Sequence, residues 1–399
     1  MASLTQGIFI VAAKRTPFGT MGGKFVQKKA VELQTVAAKA AMEAGNVKPE
    51  QIDSTVIGHV LSVSSADGIL IARHAALYSG VPIDRHAMSI NRLCGSGFQS
   101  IVSGAQSILV GESKVVLTGG AENMSQTPYF VRNVRFGAPL GTKIEFEDSF
   151  WAGLTDTYCN LNMAMTAENL AVKYKLTREN VDKFALRSQM LWKNANEKGY
   201  FKEELAPVTI KTRKGEEIVN VDEHPRPFST AEGLAALPPV FKKGGVVTAG
   251  SASGICDGAG AVIIASEEAC KEYNYQPLAR LVGYSVAGVD PSIMGIGPAP
   301  AIQNLLKVSG KSLADIDLVD INEAFGAQVM ACQEELKLDI DKLNVNGGAI
   351  ALGHPLAASG ARITTHIVHE LRRRKAKYGI GSACIGGGQG IALLIESIH

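Results

Sequence analysis

The chain carries the same unit twice, and this constrains its fold more than any single motif does. Residues 41–60, AMEAGNVKPEQIDSTVIGHV, and 305–325, LLKVSGKSLADIDLVDINEAF, each pass from a helix tail through a glycine, a polar helix start and an Ile-Asp pair into a strand. Asp53 aligns with Asp317, and Asn322 stands in the second copy where the first has Gly58. Further on, Cys94 and His354 each precede a small-residue turn and an amphipathic helix, which leads to a strand and a glycine cluster, KVVLTGGAE (114–122) and YGIGSACIGGGQGIALLI (378–395). Alternating β and α elements of this kind build sheets covered by helices. Two such halves packed about a pseudo-twofold axis bring their helix starts together, so Cys94 and His354 are expected to face each other at the centre.

Between the copies the character changes. MSQTPYFVRNVRFGAPLG reads as loop, MAMTAENLAVKYKLTRENVDKFALRSQMLWKNA as helix, and VTIKTRKGEEIVNVD as a hairpin turning at Lys214-Gly215. The domain division is therefore residues 1–122 with 248–274 as a first half, 123–247 as an inserted domain over the centre, and 275–399 as a second half.

Several classes of function are disfavoured. With 40 basic and 38 acidic residues in 399 the net charge is +2, which leaves no nucleic-acid footprint. No run approaches the roughly 18 apolar residues of a membrane span. The six cysteines, at 94, 159, 256, 270, 332 and 384, form no C-x-x-C pair, and the eight histidines form no H-E-x-x-H, so neither a disulfide scaffold nor a metal site is expected. SGKS at 309–312 has Leu305 where a phosphate loop needs glycine, and GGGQG at 386–390 lies between strand-like runs.

The stretch NRLCGSGFQS (91–100) places Cys94 before Gly95, Ser96 and Gly97. Phe98, Ile101, Val102, Ala105 and Ile108 repeat at helical spacing, which predicts a buried helix from near Ser96. A thiol at the positive end of that helix is expected to have its pKa drawn from about 8.5 toward neutrality. The alternative is a small apolar cysteine filling a tight turn.

Together, NRLCGSGFQS, NEAF (322–325), GGAIALGHP (347–355), SACIGGGQG (382–390) and VTAGSASGICDGAGA (247–261) resemble the thiolase family, within it the mitochondrial branch acting on 3-ketoacyl-CoA. The likeness runs from Gly7 to Ile395. It implies a five-layered α/β/α/β/α sandwich of two duplicated halves with an inserted loop domain. The activity it implies is CoA-dependent cleavage of 3-ketoacyl-CoA to acetyl-CoA and a shortened acyl-CoA, the last step of β-oxidation, reversible as a Claisen condensation.

By this resemblance Cys94 attacks the 3-keto carbon and keeps the acyl group, His354 takes the thiol proton, and Cys384 protonates the enolate and activates incoming CoA. His354 and a water fixed on Asn322 hold one oxyanion; the amides of Cys94 and Gly386 hold the other. Arg226, Ser229 and Ser253 are carried over as CoA contacts, and Met163, Ala324 and Phe325 as pocket lining. Read from the residues alone, His354 has the alternative of a hydrogen-bonded structural histidine, Cys384 that of a buried strand cysteine, against which the triple glycine after it counts, and Asn322 that of the cap of a helix from Glu323. Cys159, Cys256, Cys270 and Cys332 are read as packing residues, and His59, His74, His366 and His369 as structural or surface ones.

The likeness implies no cofactor, since CoA is a substrate, and no metal; 3-ketoacyl-CoA, acetyl-CoA and CoA are the partners of a homodimer or homotetramer. It departs from the family at Ala357, where glycine is usual, and has Asn162 where members specialised for acetoacetyl-CoA have histidine, which argues for longer chains. A β-ketoacyl synthase is disfavoured by Cys384, and a retired acyl-CoA carrier by the presence of Cys94, His354 and Cys384 together. Hydrolysis of the acyl-enzyme is expected at most as a side activity. The C-terminal ESIH is not a peroxisomal signal and the first strand starts by Gly7, so the expected location is the mitochondrial matrix without a cleaved presequence, with the cytoplasm as the alternative.

Overall fold

The computed structural model describes residues 2–4 and 7–399. Nine strands follow one another through the main sheet: β1 (Ile8–Arg15), β2 (Ser54–Gly58), β3 (His86–Ile90), β4 (Val115–Glu122), β5 (Cys256–Ser266), β6 (Ala279–Gly288), β7 (Leu318–Ile321), β8 (Tyr378–Ile385) and β9 (Gln389–Ser397). Their order is β7-β8-β9-β6-β1-β5-β4-β2-β3. The first half supplies β1-β5-β4-β2 and the second supplies β6-β9-β8-β7, the same order with the same parallel pair at its end, β4 with β2 and β8 with β7. The two halves join edge to edge where Ala279 and Arg280 pair with Ile10 and Phe9.

The repeat is visible at the level of single hydrogen bonds. Asp53 Oδ2 accepts the amides of Lys114 and Val115, and Asp317 Oδ2 accepts those of Lys377 and Tyr378. Each carboxylate therefore ties the start of one parallel strand to the start of its neighbour.

Helices fill three layers. Alternating residues of β4 separate them: Val115 and Leu117 face α1 (Ala30–Ala44) and α2 (Ile71–Tyr78), while Val116 faces α3 (Ser96–Leu109) and α8 (Ala358–Arg374). In β9, Ile391, Leu393 and Ile395 face that same α3/α8 layer, whereas Ala392 and Leu394 face α6 (Pro298–Ser309) and α7 (Gly326–Leu336). The period of two along each strand thus produces the five layers, with α3 and α8 buried between the halves.

Those two helices cross at glycines. A Cβ on Gly360 would lie 2.2 Å from Phe98 N, and one on Gly97 would lie 2.6 Å from Ala357 O. No larger residue fits this crossing, and it draws both helix starts to the centre. Counted from this pair of glycines, however, Cys94 matches Ala357 and His354 matches Asn91. The two helix starts are equivalent and the two residues on them are not, because His354 sits a turn further from its helix.

Residues 123–255 lie between β4 and β5, where the second half has only Gly386–Gly388 between β8 and β9. This segment carries α4 (Met163–Lys173), α5 (Arg178–Glu197) and a hairpin of Val208–Thr212 with Gly215–Val219. The hairpin turns at Arg213-Lys214, one residue before the expected place, since Gly215, with φ +118°, is already paired with Thr212. Among the described residues no helix is long and apolar enough to cross a membrane.

Candidate active site

Cys94 stands in the turn from β3 to α3. Arg92 N donates to Ser96 Oγ at 2.8 Å, Ser96 Oγ donates to Leu93 O at 2.7 Å, and Leu93 N donates to Asn91 Oδ1 at 2.8 Å. These bonds hold Leu93 at φ +46°, a left-handed conformation that costs roughly 1–2 kcal/mol outside glycine. The turn directs the Cys94 sulfur toward its own amide and that of Gly386. Gly386 opens the run between β8 and β9, and a Cβ there would meet Leu93 Cδ1 at 3.2 Å and Met163 Sδ at 3.3 Å. Arg92 Nη1 donates to Gln389 Oε1 at 2.9 Å, tying the cysteine turn to the glycine turn.

Burial pushes the Cys94 thiol up to about 11, against the lowering expected from its helix start. The amides of Gly386 and Cys94 favour the thiolate, but desolvation outweighs them and the charge of Glu122 adds to it.

His354 follows Gly353, which has φ +94°, and its amide donates to Gly254 O at 2.9 Å. Its Nδ1 lies 2.6 Å from Ser359 Oγ, whose hydroxyl donates to Pro355 O at 3.1 Å. Because the serine proton is committed to Pro355, Nδ1–H is the donor and Nε2 carries the lone pair. Asn322 Nδ2 lies 3.4 Å from that Nε2, and Asn322 Oδ1 is buried with no protein partner. Burial, reinforced by the charge of Arg362, pulls the imidazole down to about 3.

Asn322 leaves the end of β7, its amide donating to Ser382 O at 2.9 Å, and Cys384 lies two residues further along β8. The Cys384 thiol is enclosed with Met294 and Ala324, edged by Met163 and Phe325. Burial and the neighbouring Cys94 hold it well above the usual thiol range. The fold thus brings Cys94, His354, Asn322, Cys384 and Gly386 into one place, with Met163, Ala324 and Phe325 beside them.

Glu323 does not begin a helix; α7 starts only at Gly326, so Asn322 caps nothing. The Glu323 carboxylate is buried and accepts from Ser188 Oγ at 2.7 Å, Asn344 Nδ2 at 2.8 Å and Ile350 N at 3.0 Å, bracing the loop before His354. Glu122, from the first half, braces the turn after His354, accepting from Leu61 N at 2.8 Å and Ala357 N at 3.1 Å and pairing with His59 at 3.1 Å. The sequence reading missed Glu122, Glu323 and Ser359 as supports; an acid set among apolar and small residues, as in NEAF and TGGAE, was the available signal. Asn162 is the N-cap of α4, its Oδ1 accepting from Ala164 N at 3.0 Å.

A cleft of about 730 Å³ opens in the inserted segment, lined among others by His224, Arg226, Phe228, Ser229, Leu234 and Gly250 and by none of the residues of this centre. Arg226 is exposed, with Nη1 donating to His224 O at 2.6 Å, and Ser229 Oγ donates to Arg226 O at 2.8 Å. Ser253 is not among the cleft's walls; its amide donates to Ala324 O at 3.0 Å, nearer the two thiols. The floor runs inward through His224, whose Nε2 would lie 1.9 Å from a Cβ on Gly254, the residue whose carbonyl receives the His354 amide.

A family model described as thiolase, N-terminal domain, matches residues 8–268, and one described as thiolase, C-terminal domain, matches residues 275–397. The chain is 62% identical over 395 residues to the mitochondrial 3-ketoacyl-CoA thiolase of Homo sapiens, covering 99% of each. The crystal structure of human mitochondrial 3-ketoacyl-CoA thiolase in complex with CoA matches at a TM-score of 0.97 and 60% identity, covering 100% of both chains. The acetyl-CoA acetyltransferase of Bacillus anthracis matches at 0.95 and 47%, again over 100% of both.

Proposed function

The chain belongs to the thiolase family, and from that membership we infer that it is an acyltransferase, a mitochondrial 3-ketoacyl-CoA thiolase. It cleaves 3-ketoacyl-CoA with CoA to give acetyl-CoA and an acyl-CoA two carbons shorter. What supports the assignment of roles is the meeting of two thiols, a neutral imidazole and an asparagine, with the cleft reaching toward them through His224 and Gly254.

The Cys94 thiol gives its proton to His354 Nε2 as its sulfur bonds to the 3-keto carbon. The oxyanion this creates faces the amides of Cys94 and Gly386; loss of one such donor typically costs about 10²–10³ in rate. Collapse breaks the bond between C2 and C3, and the electron pair moves onto the acetyl-CoA enolate, whose oxygen is held by His354 and by a water on Asn322 Oδ1. Cys384 protonates C2, and acetyl-CoA departs. The Cys384 thiolate then takes the proton of incoming CoA, whose sulfur attacks the thioester; Cys94 leaves and recovers its proton from His354.

Arg226, Ser229 and Ser253 are assigned to CoA, with the cleft taking the nucleotide end and Ser253 the end near the thiols. The edge of the sheet at β3, paired among the described residues only with β2, suits a homodimer or homotetramer. Mass spectrometry after quenching with 3-ketoacyl-CoA in the absence of free CoA should find the acyl group on the Cys94 peptide; label on Cys384 alone overturns the assignment. Cys384→Ser should bind CoA yet turn over at least about 10²-fold more slowly, and near-normal turnover would remove Cys384 from the chemistry. Release of free acid in the first experiment measures the hydrolytic side activity.

A further inference from the structure

The reaction leaves buried charges on α8 unused, Arg362 and Glu370 among them, and Arg362 is the one that bears on His354. Arg362 is 1% exposed and lies one turn beyond Ser359. Its Nη1 donates to Asp320 Oδ2 at 2.9 Å, while its Nε and Nη2 and the Oδ1 of Asp320 have no partner among the described residues. A singly bonded ion pair in an apolar layer is no more stable than hydrophobic residues of the same volume, and often less. Core stability therefore does not account for it.

Its place does. Asp320 lies in β7 two residues before Asn322, and Arg362 lies on the helix turn that carries Ser359. The two contacts that fix His354 come from these same two elements: Ser359 Oγ at Nδ1 from α8, and Asn322 Nδ2 at Nε2 from the end of β7. We propose that Arg362 is a positioning residue for thiolysis, its pair with Asp320 locking α8 to β7 so that Ser359 and Asn322 grip the imidazole together. This rests on the roles given to His354 and Asn322 above. Arg362 is also the charge that bears on the His354 ring. The other titratable groups on the elements packed against the histidine are Cys256, which lies against the His354 backbone, and Glu122, which accepts from Ala357 N; behind Arg362 stand Asp320 and His366, the latter paired with Glu204.

The test uses Arg362→Lys, Arg362→Gln and the double variant Asp320→Asn with Arg362→Gln, which removes both charges but keeps groups able to hydrogen-bond, so that no carboxylate is left unpaired. In the double variant kcat should fall at least about tenfold, the scale of a small misplacement of a reacting group, with KM for CoA within about twofold. The acid limb of kcat/KM should move to higher pH, and Arg362→Lys should recover most of kcat and the parent pH profile. A double variant with the parent's kcat and pH profile, or a lysine variant no better than glutamine, overturns the proposal. His354→Asn run alongside separates the two failures. If it is as active as the parent, the reading of the site falls; if it is inactive while the double variant matches the parent, only the inference about Arg362 falls.

Discussion

At the residue scale the two central groups are held in their neutral forms, Cys94 raised to about 11 and His354 lowered to about 3. A thiolate–imidazolium pair would need both shifts reversed. The proton therefore moves only when substrate supplies a place for the developing charge. Alkylation of Cys94 by iodoacetamide, followed on its own peptide, should accelerate roughly tenfold per pH unit from pH 7 through pH 9 without levelling, as a thiol titrating far above neutrality must. A plateau with its midpoint near 8 would contradict this. Ser359→Ala frees the imidazole to exchange tautomers and should lower kcat about tenfold or more, with KM for CoA little changed. The sequence located Cys94 and the helix behind it, but its expected low pKa was wrong. The left-handed turn at Leu93 and the approach of Met163 from the inserted segment to Gly386 bear on this site, and neither is written in the local pattern.

At the element scale, what was legible was the repeat: Asp53 and Asp317, the paired helix starts and the glycine clusters all reappear in equivalent places. The offset between Cys94 and His354 was legible only as unequal spacings from the aspartates, 41 residues against 37; its size in the fold follows from the contact of Gly97 with Gly360 where α3 crosses α8. Two glycine substitutions distinguish contact from conformation. Gly360→Ala forces a methyl against the Phe98 amide at 2.2 Å, so the helices must part, at about 1–3 kcal/mol for overpacking. Gly387→Ala meets open space and bears only the strain of φ +77°, roughly 1 kcal/mol. Thermal unfolding should show the larger loss of Tm for Gly360→Ala, accompanied by a fall in kcat as the two helix starts separate. Equal losses would mean that the crossing is not what spaces the site.

At the scale of the whole molecule, the inserted segment is bolted to both halves, and one buried cluster reaches both. Arg15 of β1 donates to Glu204 at 2.7 Å and to Asp222 at 2.7 Å, both from the inserted segment, and Glu204 also pairs with His366 of α8 at 2.8 Å. Asp222 lies two residues before His224, which lines the cleft, so the cluster helps to set the cleft's shape. Burial alone would raise the Glu204 carboxyl, but Arg15 and His366 hold it down at about 2. A depressed carboxyl contributes stability that is fully present above its ordinary value near 4.5 and is lost as pH falls toward 2, a total on the order of 3 kcal/mol. His366 has the opposite sign: raised by Glu204 against its own burial, it contributes most below its ordinary value of 6.5 and loses that contribution as pH rises through its folded value. Glu204→Gln should therefore lower Tm at pH 6 by removing the partner of two buried cations, and should flatten the acid side, with Tm changing less between pH 5 and pH 3 than in the parent. It should also raise KM for CoA more than it lowers kcat, since it loosens the cleft and leaves the two thiols in place. Unfolding followed by calorimetry at pH 6, 5, 4 and 3, with steady-state kinetics at pH 7, checks both. A variant with the parent's acid slope would show that Glu204 does not carry it, and a loss confined to kcat would show that the cluster supports the centre and not the cleft.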